Sequence, residues 1–473
     1  MSRSNAATSG GLTSLRTPPL SPHAPRPPHP LRVTDSRPVL TELPSAATLA
    51  RSTTDFIFAL IWVHYCQRMS YMKPQNSAGS RENEAEAGLE KKPFRPSSAP
   101  ASGLRAFARR TAILWGVGIW RVLAGSLAAQ SNTVDQVIAA EMKQHHITGL
   151  SLAVIEGGQI VMAKGYGFTD DSGTTPVVPS TLFQAGSVSK PVAAFGALRL
   201  VEQGKLALDE DVNARLTTWK VPENKFTKEQ KVTLRRILSH SAGLTVHGFP
   251  GYGLLTPIPT LPQVLDGAPP ANTPAVRVDV LPGSTWRYSG GGFTVMQQLM
   301  IDVAGTSFPQ LMRETVLVPL GMTSSTYEQP LPKDVLARAA TGYYADGKVV
   351  VGKAHTYPEM AAAGLWTTAS DLARFAVGIQ KSLAGESNPV ISASMTRQML
   401  TVQKGESGLG IGVNGSGKTL RFSHGGRDEG FDTMLTAFAE TGQGAAIMIN
   451  ANEDSGAVNR IVEAIGRDHH WPR

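Results

Sequence analysis

The pattern of apolar and polar positions changes at about residue 131, beyond which the chain has a globular texture. An amphipathic pattern predicts a helix over Val134–Gln144. The apolar run Gly149–Ile155 predicts a buried strand, Gly157-Gly158 supplies a tight turn, and Ile160–Gly165 predicts the returning strand. The globular part therefore begins with a helix and a β-hairpin.

The middle of the chain is predominantly helical. A helical pattern covers Val192–Gln203 and stops at Gly204, a residue type that commonly ends helices. Residues 205–370 alternate short helical patterns with loops rich in Pro and Gly. We expect this region to form a helical subdomain inserted into the rest of the fold.

Strand patterns return near the end of the chain. They cover Leu420–His424, Thr433–Phe438 and Ala445–Asn450, and a last helical pattern covers about Ser455–Ile465. Strands at both ends with helices between them predict one sheet built from both ends of the globular part, in an α/β (α+β) arrangement.

The first 130 residues differ from the rest. Residues 1–52 are dense in Pro, Ser, Thr and Arg, so we expect a disordered leader over residues 1–104. Residues 105–129 place arginines, the apolar stretch Ala112–Trp120 and small residues in the order of a secretory signal peptide. This order predicts an exported protein, periplasmic or secreted. A mitochondrial transit peptide over residues 1–52 and a chance apolar patch are the alternatives.

Positive charge is concentrated in that leader. Residues 1–130 hold 16 of the 45 Lys and Arg and 7 of the 37 Asp and Glu, which leaves 29 basic and 30 acidic residues beyond them. We therefore expect no nucleic-acid binding by the globular part. No apolar run reaches the roughly 18–20 residues of a membrane-spanning helix. The single cysteine, Cys66, lies in the leader, so the globular part has no disulfide and no cysteine nucleophile.

Three motifs in the globular part carry candidate chemistry. The first is Ser-x-x-Lys, formed by Ser187 and Lys190 where a helix should begin. Residues three apart share one face of a helix, so the lysine can reach the hydroxyl, and a desolvated lysine can act as a base. The pair alone is a weak signal, and its structural alternative is an N-cap serine followed by a solvated lysine.

The second motif is Tyr288-Ser289-Gly290, which two further glycines follow. Successive glycines let the backbone approach a ligand closely, and the tyrosine can present its hydroxyl to a neighbouring site. The structural alternative is a tyrosine that packs in a turn.

The third motif is His424-Gly425-Gly426 on a late strand, where paired glycines leave backbone N–H groups open to a substrate carbonyl. The order of the three motifs resembles the penicillin-binding protein and class C β-lactamase family of serine hydrolases. Residues 232–244 resemble its TLRHLLTHTSGL stretch, and residues 363–372 resemble its GGLWSTASDLA stretch. The resemblance covers about residues 131–470 and implies an antiparallel sheet flanked by helices.

The same resemblance implies a role for each motif residue. Ser187 would attack the substrate carbonyl, and Lys190, alone or with Tyr288, would take the proton of its hydroxyl. Tyr288 would also pass a proton to the leaving group. The backbone N–H groups of Ser187 and Arg427 would form the oxyanion hole. The substrate would also contact His424, Ser289, Gly290, Gly425 and Gly426. No metal or cofactor is implied.

Two departures from the family pattern bear on the substrate. Most members carry Asn where this chain has Gly290, and Lys-Thr-Gly where it has His424-Gly425-Gly426. Glycine has no side chain to bind the acylamide of a β-lactam or peptide. Neutral histidine attracts the carboxylate of such a substrate less than lysine does, although the charge of Arg427 could compensate for the missing lysine. We therefore expect a hydrolase of small esters or amides. The activity that we expect above the others is that of a carboxylesterase. The alternatives are a β-lactamase or D-amino-acid peptidase on the same scaffold, and an inactive binding or assembly protein.

Residues 412–419 match the phosphate-binding loop pattern GxxxxGK[ST]. That loop requires a helix after it, whereas a strand pattern follows here, so we expect a hairpin turn and no nucleotide site. His240 and His247 are expected to be structural or loop residues. Asp428 and Glu429 are expected to be solvated, and the alternative is that they form a rim of the site.

Overall fold

The computed structural model describes residues 133–473. The predictions for the leader, residues 1–104, and for the signal-peptide-like segment, residues 105–129, lie outside the described residues. Across residues 133–473, none of the helices combines the length and the apolar character that crossing a membrane requires.

The described residues contain eight strands: β1 Gly149–Glu156, β2 Gln159–Gly167, β3 Phe183–Gln184, β4 Trp366–Thr367, β5 Gly412–Asn414, β6 Arg421–Asp428, β7 Phe431–Phe438 and β8 Gly444–Ile449. Six of them form one antiparallel sheet in the order β2-β1-β8-β7-β6-β5, and β3 pairs with β4. The N-terminal hairpin thus lies beside the last strand, which confirms the predicted sheet built from both ends of the globular part.

The described residues contain twelve α-helices: α1 Val134–Gln144, α2 Ser189–Glu202, α3 Lys225–Glu229, α4 Leu234–Leu238, α5 Leu261–Asp266, α6 Gly290–Ala304, α7 Phe308–Met312, α8 Lys333–Leu336, α9 Met360–Ala363, α10 Ala369–Leu383, α11 Ala393–Met399 and α12 Ala457–Asp468. Short 3₁₀ turns cover Gly186–Val188, Val212–Ala214 and Gly417–Thr419, and a π turn covers Arg313–Leu317. The helix α1 has the predicted bounds because Thr133 caps its first turn reciprocally with Gln136.

Helices cover both faces of the large sheet. Successive side chains of a strand point to opposite faces, and β1 is buried on both. Leu150, Leu152 and Val154 join the apolar cluster formed with α1 and α12, whereas Ala153 and Ile155 join the larger core, into which α10 packs. This arrangement confirms the expected antiparallel sheet flanked by helices.

The glycine-rich stretch before β6 is a hairpin, as predicted. Val413 of β5 pairs with Phe422 of β6 in antiparallel register, and the 3₁₀ turn Gly417–Thr419 lies between them. The helix that a phosphate-binding loop requires is therefore replaced by strand β6.

Candidate active site

Ser187 and Lys190 lie on one continuous turn of backbone. Ser187 is the middle residue of the 3₁₀ turn Gly186–Val188, and Lys190 is the second residue of α2, which follows directly. Lys190 Nζ donates to Ser187 Oγ over 2.9 Å and to the carbonyl oxygen of Ala362 over 2.8 Å. The structure thus brings the two residues of the first motif into direct contact.

The side chain of Lys190 is only 2% exposed. Burial lowers the pKa of Lys190 to about 7, and the negative charge of Asp428 opposes part of that change. Near neutral pH, a large fraction of the amine is therefore uncharged and able to accept a proton. The alternative of a solvated lysine is wrong.

Tyr288 lies beside this pair and is held by His240. Lys190 Nζ is 5.0 Å from the centroid of the Tyr288 ring, and the His240 ring stacks on that ring with centroids 4.3 Å apart. The backbone carbonyl of His240 accepts the Arg287 N–H over 2.7 Å, and its Nδ1 accepts the Ser289 N–H over 3.1 Å. His240 therefore contacts Tyr288 and binds both of its neighbours in the chain.

Several properties of His240 follow from these contacts. Because Nδ1 accepts a hydrogen bond, the neutral ring carries its proton on Nε2. Burial, followed by the charge of Lys190, lowers the pKa of His240 well below its usual range. Its φ of +54° is uncommon outside glycine. The sequence contained one signal for this residue: it lies in the stretch 232–244 that resembles the family.

The hydroxyl of Ser289 makes hydrogen bonds to the backbone of the protein. It accepts the N–H of Gly292 over 2.9 Å as the N-cap of α6 and donates to the carbonyl of Thr245 over 2.8 Å. Ser289 therefore fixes the start of α6 directly after Tyr288.

Gly290 lies where the chain has no space for a side chain. Its N–H donates to the carbonyl of His247 over 2.9 Å. A Cβ at this position would lie 2.9 Å from that carbonyl oxygen and 3.0 Å from Cε2 of Phe249. Backbone and an aromatic ring thus occupy the direction that a larger residue would need.

Two glycines allow strand β6 to approach the turn that carries Ser187. A Cβ on Gly426 would lie 2.0 Å from the carbonyl oxygen of Ala185, and a Cβ on Gly186 would lie 2.4 Å from the backbone nitrogen of Arg427. Gly186 also has a φ of +51°. The backbone nitrogen of Arg427 therefore lies against this turn, as an oxyanion hole shared with Ser187 requires.

Within residues 133–473, the part of β6 that follows residue 423 has a paired strand along only one of its two edges. β5 pairs only with residues 421–423, whereas β7 pairs with residues 421–428. Gly425 lies on this part of β6, and a Cβ there would meet only the methyl group of Met434 at 3.7 Å. Space therefore dictates glycine at Gly426 but not at Gly425.

The guanidinium of Arg427 is directed into an ion-pair network. It binds both carboxylate oxygens of Asp432 over 2.7 Å, one carboxylate oxygen of Asp454 over 2.6 Å and the carbonyl of Glu453 over 2.7 Å. Its charge is thus already balanced, and this side chain is not available to replace the lysine of other family members.

His424 is neutral in this structure. Its Nδ1 donates to the carbonyl oxygen of Gly425 over 2.6 Å, and its ring centroid is 6.3 Å from that of Tyr288. Burial, followed by the charge of Lys190, lowers the pKa of His424 to about 4. His424 therefore brings a ring and no positive charge to the site.

Two buried acids belong to this region: Asp428, whose charge acts on Lys190, and Glu359, whose charge acts on Asp428. Asp428, expected to be solvated, is 3% exposed, and burial raises its pKa well above the usual range. Glu359 precedes α9, and burial raises its pKa to about 8. Neither position carried a sequence signal. Residues 133–473 contain no group of three or more His, Cys, Asp or Glu side chains that could hold a metal ion.

Comparison with known proteins places this geometry in context. The chain is 26% identical over 342 residues to the "Putative penicillin-binding protein PbpX" of Bacillus subtilis, a match that covers 70% of this chain and 79% of that protein. It is 25% identical over 241 residues to "Protein flp" of Staphylococcus aureus, covering 50% of this chain and 45% of that protein. The match therefore spans less than half the length of the second relative.

Structural comparison shows the same fold. A class C β-lactamase superposes with a TM-score of 0.57 at 22% identity, covering 72% of this chain and 97% of that protein. The sequence profile of the family described as Beta-lactamase matches residues 134–466, which include the three motifs and both ends of the large sheet. This chain belongs to the Beta-lactamase family.

Proposed function

We propose that this protein is a carboxylesterase that works through an acyl-enzyme. The family is one of serine hydrolases, and the proposal concerns which residues act and on which substrate. One observation carries it: Lys190 Nζ lies 2.9 Å from Ser187 Oγ, where burial lowers the pKa of the lysine to about 7. A nucleophile and a base at hydrogen-bond distance are what acyl transfer requires.

In the proposed acylation step, neutral Lys190 takes the hydroxyl proton while Ser187 Oγ bonds to the carbonyl carbon of the ester. The carbonyl oxygen becomes an oxyanion, which the N–H groups of Ser187 and Arg427 stabilise by about 3 kcal/mol each. The carbon–oxygen bond to the alcohol then breaks. The alcohol leaves with the proton, which passes from Lys190 through Tyr288, and the acyl group stays on Ser187.

In the proposed deacylation step, a water molecule attacks the acyl carbon in the space that the alcohol has left. One proton of this water passes through Tyr288 to neutral Lys190, and the same two N–H groups stabilise the second oxyanion. The bond to Ser187 Oγ breaks, Lys190 returns a proton to that oxygen, and the carboxylic acid leaves. The enzyme ends in its starting protonation state.

Three features of the site support an ester as the substrate. Gly290 has no side chain that could bind the acylamide group of a substrate. His247 and Phe249 occupy the space into which a side chain at this position would extend. His424 is uncharged because burial lowers its pKa to about 4. The guanidinium of Arg427 is bound by two carboxylates. A substrate that needs an amide contact or a cation would find neither there.

The names of the relatives support a second candidate. One is called a penicillin-binding protein and one is a class C β-lactamase, so hydrolysis of β-lactams or D-amino-acid peptides is the alternative on this scaffold. The alternative needs the same nucleophile and base, and it differs only in how the acyl group is held.

The test is intact-mass spectrometry of the full chain with a panel of p-nitrophenyl esters and with the β-lactam nitrocefin. We expect an acyl adduct and turnover with esters, both absent from Ser187→Ala. Faster turnover of nitrocefin than of every ester would favour the second candidate. No adduct from any substrate would contradict both and favour an inactive scaffold.

A further inference from the structure

Two loops expose an apolar surface to solvent. We call them the rim loops: residues 247–258 and residues 349–357. Five of the eleven large apolar side chains that are exposed within residues 133–473 belong to them: Leu254, Leu255, Ile258, Val349 and Val351. Leu255 is 94% exposed and Val351 68%. Isolated exposed apolar residues are ordinary, but a cluster of them marks a binding surface.

The rim loops are joined to each other. Tyr252 and Thr356 exchange both backbone hydrogen bonds over 2.9 Å, so the loops pair like two strands. A Cβ on Gly352 would lie 3.0 Å from the Cβ of Leu254, which places this leucine directly on the second loop. The exposed side chains therefore stand on a backbone that hydrogen bonds hold in place.

The first rim loop begins at the Tyr288 side of the proposed active site. The ring centroid of His247 lies 4.8 Å from that of Tyr288. Phe249 places its ring against Gly290, where a Cβ would be 3.0 Å from its edge. The first rim loop thus starts in contact with the second motif and carries the exposed side chains of Leu254, Leu255 and Ile258 farther along the chain.

The second rim loop ends at the β6 side of the same site. The hydroxyl of Tyr357 accepts the N–H of Glu429 over 2.9 Å, two residues after Arg427. The carbonyl of His355 accepts from the side chain of Gln184 over 2.7 Å, three residues before Ser187. The rim loops are therefore anchored both at the second motif and beside the proposed oxyanion hole.

We propose that the rim loops bind an apolar chain of the ester substrate, with Phe249 as the inner wall and Leu254, Leu255 and Val351 farther out. This inference rests on the proposed function. Both loops carry exposed apolar side chains, and the end of each contacts residues beside Ser187 or Tyr288. Each methylene group that leaves water on such a surface raises kcat/KM by about two- to fourfold. The preferred substrates are thus esters with an aliphatic chain of medium length.

The test uses the full chain and two substrate series. One varies the acyl chain of p-nitrophenyl esters from acetate to decanoate, and the other varies the alcohol of alkyl acetates over the same lengths. The variant is Leu254→Ser with Leu255→Ser, since both side chains are exposed and the fold does not depend on them. Val161→Ser, an exposed position on strand β2 at the far edge of the sheet, is the matched control.

We expect kcat/KM of the wild type to rise with the length of the alkyl chain in one of the two series. That series identifies whether the rim loops bind the acyl chain or the alcohol chain of the ester. The double variant should lose about tenfold on the octyl substrate and less than about twofold on the acetyl substrate. Val161→Ser should change neither. An undiminished length dependence in the double variant overturns the proposal, and so does a loss confined to emulsified esters, which would place the loops at a lipid surface instead.

A binding measurement separates this inference from the proposed function. In the Ser187→Ala protein, p-nitrophenyl octanoate should bind at least tenfold more tightly than p-nitrophenyl acetate, and the two Leu→Ser substitutions should lower that ratio about tenfold. If the wild type cleaves no ester, the proposed function fails while this measurement still decides whether the rim binds an apolar chain. Equal binding of the two esters overturns the inference even if both are cleaved.

Discussion

The residues around Ser187 and the rim loops differ in how the protein holds them. Lys190 is 2% exposed and makes two hydrogen bonds, whereas Leu255 is 94% exposed and contributes to no core. The first group is fixed by burial and by backbone contacts from four different segments. The second stands on loops joined by the hydrogen bonds of Tyr252 and Thr356. In the proposed function, reaction chemistry and substrate preference therefore belong to parts of the molecule with different mechanical support.

This contrast has a direct consequence for mutation. A change among the buried residues should lower the rate for every substrate in the same proportion, because each substrate passes through the same acyl-enzyme. A change on the rim loops should lower the rate only for substrates that reach them. The following predictions test this division, beginning with the largest effect.

Lys190→Met should lower kcat/KM by about a thousandfold for short and long esters alike, since it removes the base but keeps the volume of the side chain. The measurement is steady-state hydrolysis of p-nitrophenyl acetate and octanoate, together with the thermal unfolding midpoint as a control for folding. A loss that differed between the two esters would contradict a role for Lys190 in the shared chemical step.

Gly426→Ala should lower kcat by about 10²- to 10³-fold, because the added Cβ would lie 2.0 Å from the carbonyl oxygen of Ala185 and force β6 away from the Ser187 turn. Gly425→Ala is the matched control, since its Cβ would meet only a methionine methyl group at 3.7 Å. Both rates are measured with one ester at saturation. Equal losses in the two variants would argue against the Arg427 N–H as an oxyanion donor.

His240→Phe should lower kcat by about tenfold with little change in KM. Phenylalanine keeps the ring beside Tyr288 but leaves the Ser289 N–H without its acceptor. His240→Asn is the complement, since its amide oxygen can accept that N–H while the stacked ring is lost. The pH profile of kcat is the second readout. A displaced Tyr288 would change the surroundings of Lys190, whose Nζ lies 5.0 Å from the Tyr288 ring centroid, and would shift the midpoint near pH 7. An unchanged profile with reduced thermal stability would make His240 structural only.

The smallest predicted effect comes from pH. Lys190 must be neutral to accept a proton, and burial lowers its pKa to about 7, so kcat/KM should rise about fivefold from pH 6 to pH 7 and level off above pH 8. Below pH 6 the amine is protonated and the rate should fall tenfold per pH unit. Esters with short and long chains should give the same midpoint. A midpoint above pH 9 would show that Lys190 stays charged.

Much of the fold could be predicted from the sequence because its signals are local. Apolar runs and glycine turns located the β1–β2 hairpin, and an amphipathic pattern located α1. The hairpin at residues 412–419 was also predictable, because a strand pattern follows the GxxxxGKT letters. The separate pairing of β3 with β4 was not, since strands of two residues have no period to detect.

Without the family resemblance, which brought in Tyr288 and Arg427, the site was predictable only where one motif contains the whole contact. Ser187 and Lys190 are three residues apart, so helix geometry alone brings them together. Asp428 and Glu359 are 69 residues apart in the chain, and their burial close enough for one charge to act on the other depends on how β6 and α9 pack. The engagement of the Arg427 side chain likewise depends on Asp454, which the sequence does not link to it.

The position of β1 between β2 and β8 also affects the order of folding. Gly149 donates its N–H to the side chain of Asn450, 301 residues later, and β1 pairs with β8 along most of its length. As the ribosome releases the chain, β1 has no partner on the β8 side until the residues up to Asn450, 301 positions after Gly149, have been synthesised. Long-range pairing of this kind slows folding and exposes an unpaired strand in the meantime. Strand β8 therefore completes the sheet that the first hairpin begins.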